Sequence, residues 1–199
     1  MKFELCLPLQ TTPEQFARLR ELQVVFARVC NALAPVVRQT RVWNRVALHH
    51  LMYRQLRGQF PEVGSQMVCN AIYSVSRSCR LVFQHPDSPF HLSKLGDRPL
   101  PLLRFSDSCP VFFDRHTLSV KDGQVSMFTM DGRMRFALAL SPEQTFAFRE
   151  QKLREISLYH HVPNGYALTF RFDDEATHDK AVAQHDLEIP EYVIVEEQV

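Results

Sequence analysis

Residues 61–80 read PEVGSQMVCNAIYSVSRSCR, and as a helix from about Ser65 they sort their side chains onto two faces. Val68, Ile72, Val75, Cys79 and Val82 fall on one stripe, the i, i+4, i+7 spacing of a face turned toward a core. Gln66, Asn70, Tyr73, Arg77 and Arg80 fall on the other at the same spacing. Amides, a phenol and guanidinium groups hold a ligand by hydrogen bonding and charge. That is chemistry for gripping, and it raises the question of what is gripped.

Charge along the chain gives a direction. The net charge of +1 predicts no polyanionic partner by itself. From Glu14 to Phe105, however, thirteen Lys and Arg stand against five Asp and Glu; from Ser106 to Val199, nine stand against sixteen. Twelve of the thirteen cations in the first stretch are Arg, whose planar fork suits phosphate and base edges better than the point charge of Lys. A basic surface that meets a polyanion and an acidic one that does not is the expectation.

Bond-making chemistry has no visible seat. Neither His49-His50 nor His160-His161 has Cys, Asp or Glu around it at metal-ligand spacing, and neighbours on a helix point about 100° apart. HExxH and paired CxxC motifs are absent, as are GxSxG, P-loop and GxGxxG patterns. The carboxylates lie mostly at turns (Asp114, Asp122, Asp131) or toward the end (Asp173, Asp174, Glu175, Glu196, Glu197), where turn formation and solubility account for them. No catalytic residue, metal site or cofactor is expected, and the chain reads as a non-enzyme. The five cysteines are an odd number without a CxxC pair, which predicts reduced, mostly buried thiols in a cytoplasmic protein. No apolar run is long enough to span a membrane, and MKFELCLPLQ lacks the apolar core of a secretory signal.

The elements that must position the polar face follow from periodicity. Residues 2–9 alternate as a short strand. TTPEQFARL then starts a helix over about 13–38, with Thr12 as N-cap, Pro13 in the first turn and Gln15 closing a capping box. Phe16, Leu19, Leu22, Phe26, Val29, Cys30 and Leu33 line its core side, and Pro35 is expected to bend or end it. A second helix, about 44–59, offers Leu48, Leu51, Met52 and Leu56 to the core. The third is the opening segment. Residues 86–101, rich in proline, read as a loop with at most a short turn. Strand patterns follow at LRFSD, PVFFD, TLSVKDGQVSMFT, RMRFALAL, REISLYHH, YALTFRFD and YVIVEE, with hairpin turns at Asp122-Gly123 and Asn164-Gly165. A short helix over 174–184 is possible before the last strand. The fold class is α+β: an antiparallel β-barrel or sandwich interrupted after its first strand by a three-helix insertion. Residues 1–12 then supply the first strand, 13–95 the insertion and 96–199 the β-rich remainder with its acidic end.

The order of these segments resembles a known family. FELCLPLQTTPEQFARLRELQVVFARVCNAL is similar to the opening of TnpB/OrfB-type proteins, transposon-encoded RNA-guided nucleases related to type V CRISPR effectors. Asn31 matches the Asn of that family's Tyr-Asn pair, and Cys30 stands where Tyr is usual. ALHHLMYRQLRGQFPEVGSQMVCNAIYSVSRSCR looks like the following helices, and TLSVKDGQVSMFTMDGRMRFAL like the strands where an interrupted wedge barrel resumes. The likeness covers roughly residues 1–140. The chain departs from the family in lacking the RuvC-like nuclease domain and zinc ribbon, and in its acidic second half.

The resemblance implies a nuclease-lacking RNA- and DNA-binding protein with a wedge-like β domain and a helical recognition insertion. It would act in guide-RNA scaffold binding and in recognising or blocking target DNA. It makes Gln66, Asn70, Tyr73, Arg77 and Arg80 candidates for nucleic-acid contact: amides for adenine, Arg for guanine or phosphate, Tyr for an unstacked base. Arg41, Arg45, Arg54 and Arg57 extend a phosphate track. The partners implied are a structured, guide-like RNA, a target DNA duplex, and a separately encoded nuclease or effector subunit, with no membrane. The alternative is a protein-interaction subunit or inhibitor docking on a larger CRISPR-like or transposon nucleoprotein complex.

Overall fold

The computed structural model describes residues 3–161, 163, 165–173 and 188–197. In chain order it begins with β1 (Phe3–Pro8), α1 (Pro13–Thr40), α2 (Arg45–Gln59), α3 (Ser65–Gln84) and the single turn α4 (Leu92–Leu95). Then come β2 (Leu102–Phe105), β3 (Val111–Phe113), β4 (Leu118–Lys121), β5 (Gln124–Thr129) and β6 (Gly132–Ala137). Last are α5 (Pro142–Glu150), β7 (Lys152–His161), β8 (Gly165–Asp173) and β9 (Val193–Glu196). The protein is mixed α+β, and its described strands pair antiparallel in three separate sheets. The helix expected over 174–184 lies outside the described residues. Contacts divide the chain into two units, residues 1–22 with 110–184 and residues 23–109 with 185–199.

In the first unit β1 joins the later strands as the sequence led us to expect, giving the order β1-β8-β7-β3. Alternation decides which face is covered. Leu5 and Leu7 of β1, Ile156 and Leu158 of β7, and Phe170 and Phe172 of β8 are buried, while Glu4, Cys6 and Pro8 are exposed. Two helices cover the apolar face. Phe148 of α5 sets its edge against Phe170 and Phe172 at 4.9 and 5.2 Å, and Phe16 of α1 packs on His160 and Tyr166 at 5.3 and 5.2 Å. On the opposite face Arg171 bridges Glu4 at 2.7 Å and Glu155 at 2.9 Å. The Thr12–Gln15 capping box that starts α1 is formed in both directions, at 3.0 and 3.2 Å.

Sequence reading passed over α5. Its start, Ser141-Pro142-Glu143-Gln144, repeats the pattern of Thr12-Pro13-Glu14-Gln15 and closes the same reciprocal capping box. The β4–β5 hairpin turns on Asp122 and Gly123, at φ 50° and 72°. Both are left-handed, as a two-residue turn matching strand twist requires.

In the second unit α1 does not stop at Pro35 but continues to Thr40. Proline there forgoes the hydrogen bond from residue 35 to the Asn31 carbonyl and crowds that carbonyl with its ring. Burial of Leu33, Ala34 and Val37 on either side favours continuation. The helix ends where Arg41 turns left-handed at φ 56° and its N–H closes on the Val37 carbonyl at 2.8 Å. Beside it β2 pairs with β9. The other edge of β2 is held by one side chain: the Asn31 amide donates to the Phe105 carbonyl and accepts from the Phe105 N–H, both at 2.8 Å. Ser106 points the other way, donating to Tyr192 at 3.0 Å, as alternation along a strand demands.

Three thiols, Cys30, Cys79 and Cys109, are buried, Cys69 is partly covered and Cys6 is exposed. Burial pushes the Cys30 thiol up, with the adjoining Cys109 adding to it, and burial alone raises Cys79. Tyr166 is raised by burial, partly offset by the positive charge of Arg20. The folded state favours the protonated form of each. The contribution of the two thiols to stability is therefore whole below the unfolded thiol value of about 8.5 and is lost as pH climbs above it, and that of Tyr166 is lost only above the unfolded phenol value of about 10. Urea midpoints are expected to fall between pH 8 and 10.5. In native protein at pH 8 a thiol reagent is expected to label Cys6 first and Cys30, Cys79 and Cys109 only after denaturation. Rapid native labelling of Cys30 or Cys79 would contradict this packing.

Candidate functional site

The residues singled out in the sequence all belong to the second unit, on α2, α3 and the α1–α2 junction. Asn44 starts α2 by accepting from the N–H groups of Val46 and Ala47 at 3.0 and 3.2 Å, satisfying donors the first turn would leave open. Leu48, Met52 and Leu56 then turn inward at i, i+4, i+8. Leu51, expected in the core, is 49% exposed, and Val46 is 64% exposed. The three buried residues already complete the inward stripe, and Leu51 lies about 100° off it.

Helix α3 buries more than one stripe. Besides Val68, Ile72, Val75, Cys79 and Val82, it also buries Met67, Ala71, Phe83, Ser74, Ser76, Ser78 and Asn70. At about 100° per residue these cover roughly two thirds of its circumference. Small Ala and Ser side chains allow close approach there. The polar face is consequently a narrow strip, in which Gln66, Tyr73 and Arg77 are half-buried and Arg80 is exposed. Asn70 lies inside, 4% exposed, with its amide nitrogen 3.7 Å from the Met67 sulfur.

Arg45 and Tyr73 are brought together from two helices, the guanidinium carbon 5.2 Å from the ring centroid. Arg57 donates to the Val63 carbonyl, and Arg41 to the Arg98 carbonyl at 2.9 Å. Arg54 is exposed. Arg28 of α1, which the sequence did not single out, sits 5.7 Å from the Phe60 ring centroid. Residues 22–86 hold eight Arg and one carboxylate, Glu62. Among the described residues Arg28, Arg41, Arg45 and Arg57 are held by rings and carbonyls rather than by carboxylates. Those contacts fix the cations in place without neutralising them.

Sequence reading also missed an aromatic pair. His49 and Tyr53 are stacked, with centroids 4.6 Å apart and planes 19° from parallel. The signal was present as Arg45, His49, Tyr53 and Arg57, four side chains at successive i+4 steps. No helix among the described residues is long and apolar enough to cross a membrane. Among the described residues no group of three or more His, Cys, Asp or Glu could hold a metal ion. No protein-family model matches the chain, and no curated protein matches it either.

Proposed function

We propose that the α2–α3 side of the second unit binds nucleic acid, and that these residues are a counterpart of the guide-binding half of TnpB-like effectors. In that reading the antiparallel strands stand where the family has its wedge barrel, and a structured RNA is the first partner. A target DNA duplex and a separately encoded nuclease follow from the same likeness. One observation carries the proposal: an almost carboxylate-free run of 65 residues in which Arg28, Arg41, Arg45 and Arg57 are set on rings and carbonyls. A polyanion is the partner such a surface complements.

Purification from the native host in moderate salt, followed by sequencing of retained nucleic acid, tests it. A discrete structured RNA is the expected result. Its affinity should fall about a thousandfold between 50 and 200 mM salt if about six phosphates are engaged. A protein free of nucleic acid but carrying a stoichiometric protein partner would overturn the proposal. It would favour the docking-subunit reading, for which exposed Val46 and Leu51 on α2 are the supporting observation.

A further inference from the structure

Electrostatic attraction to phosphates does not distinguish paired from unpaired strands, but one feature of α2 does. Arg45, His49, Tyr53 and Arg57 form a ladder of cation, ring, ring, cation along one flank of the helix, spanning about 18 Å at 1.5 Å per residue. The two rings lie nearly parallel at 4.6 Å, both half-exposed, so they are not consumed by the core. The buried stripe Leu48, Met52, Leu56 runs beside the ladder and fixes the helix under it. Arg45 is itself anchored over Tyr73. Residues at i and i+4 on a rigid helix stay in register. The stack is therefore formed before any ligand arrives, and a further flat π system can extend it with little ordering cost.

We infer that this ladder is a stacking platform for unpaired bases, and that the ligand it selects is single-stranded nucleic acid. The flat faces of His49 and Tyr53 take the bases, and Arg45 and Arg57 at the two ends neutralise the phosphates on either side. Double-stranded nucleic acid keeps its base faces stacked on each other and offers none to the ladder. Base–aromatic stacking tolerates any sequence, because every base has a π face. The inference rests on the proposed nucleic-acid binding and adds which form is bound and by which residues.

Fluorescence anisotropy separates the two claims with labelled ten-nucleotide single strands of equal phosphate number and a duplex of the same length, which carries about twice as many phosphates. A single-stranded RNA, the same strand in DNA, an abasic DNA strand and a DNA duplex are compared at one salt concentration. The base-bearing single strands are expected to bind at least tenfold tighter than the abasic strand, in line with stacking on aromatic residues. His49→Ala with Tyr53→Ala is expected to erase that advantage and leave abasic binding unchanged, and Tyr53→Phe to retain it. Alanine is favourable within a helix, and circular dichroism checks that the variant is folded. RNA and DNA single strands binding alike would place recognition in the base faces; a preference for RNA would add a 2′-hydroxyl contact without moving the site. Equal binding of base-bearing and abasic strands would overturn the platform while leaving the electrostatic reading intact. So would an advantage that survives the double alanine variant. Absence of binding by every probe would overturn both.

Discussion

Replacing Arg45, Arg54 and Arg80 together with glutamate is expected to lower affinity for RNA on the order of a thousandfold at 100 mM salt. Each lost phosphate contact removes about 0.7 from the slope of log affinity against log salt for a single strand, and three should flatten it by about 2. Reversal adds repulsion where attraction stood. These three arginines are exposed on α2 and α3. Glutamate is about as helix-compatible as arginine, so melting should be nearly unchanged. Arg41 and Arg57 are poorer targets, because their donors hold the Arg98 and Val63 carbonyls. The matched control is Arg115, Arg135 and Lys152 of the first unit, all exposed. If their reversal weakens binding equally, attraction is diffuse and the α2–α3 side has no special claim. If reversal at Arg45, Arg54 and Arg80 changes nothing, the proposed interface is refuted.

Asn31→Ala is expected to destabilise the protein by about 3 kcal/mol, read as a lower urea midpoint at unchanged slope. The Asn31 amide meets both main-chain groups of Phe105, and Phe105 is 2% exposed. Truncation leaves a buried donor and a buried acceptor open, at about 1–3 kcal/mol each. Asn31→Asp separates the two contacts. It keeps an acceptor for the Phe105 N–H but turns an oxygen toward the Phe105 carbonyl, and should cost at least as much as alanine. A loss below about 0.5 kcal/mol for Asn31→Ala would mean that water takes over both contacts. Asn31 thus has a structural task in the second unit, clamping β2 to α1.

Legibility in the sequence divided along physical lines. Local signals could be read: the Thr12–Gln15 cap, the Asp122-Gly123 turn and the inward stripe of α3 each depend on residues a few positions apart. The pairing of β1 with a late strand was inferred because a lone N-terminal strand needs an edge to join. α5 was missed although Ser141-Pro142-Glu143-Gln144 spells the same cap as α1, because short apolar alternation on both sides reads as strand. The width of the buried surface on α3 was hidden for another reason. Periodicity locates the most apolar face, but whether Asn70 or Ser76 is covered depends on neighbours distant in sequence. The ladder on α2 was legible as a spacing, yet its stacking became evident only from the ring planes.

The two units are interleaved along the chain, and this bears on how the protein can be made. Phe3 faces Phe172 across β1 and β8, and Leu102 faces Glu196 across β2 and β9. On a ribosome that releases residues in order, at about 5–20 per second, neither pairing can form until much of the chain has emerged. Helices α1, α2 and α3 can associate early, and the β4-β5-β6 sheet after them, through contacts between neighbours in sequence. β1 must wait with its apolar residues Leu5 and Leu7 uncovered until β8 appears, and Phe105 waits for β9. Long-range closure of this kind is slow and leaves strand edges open to other chains. The nascent protein therefore depends on what shields its first strand during translation, a requirement set by topology and indifferent to what the finished molecule binds.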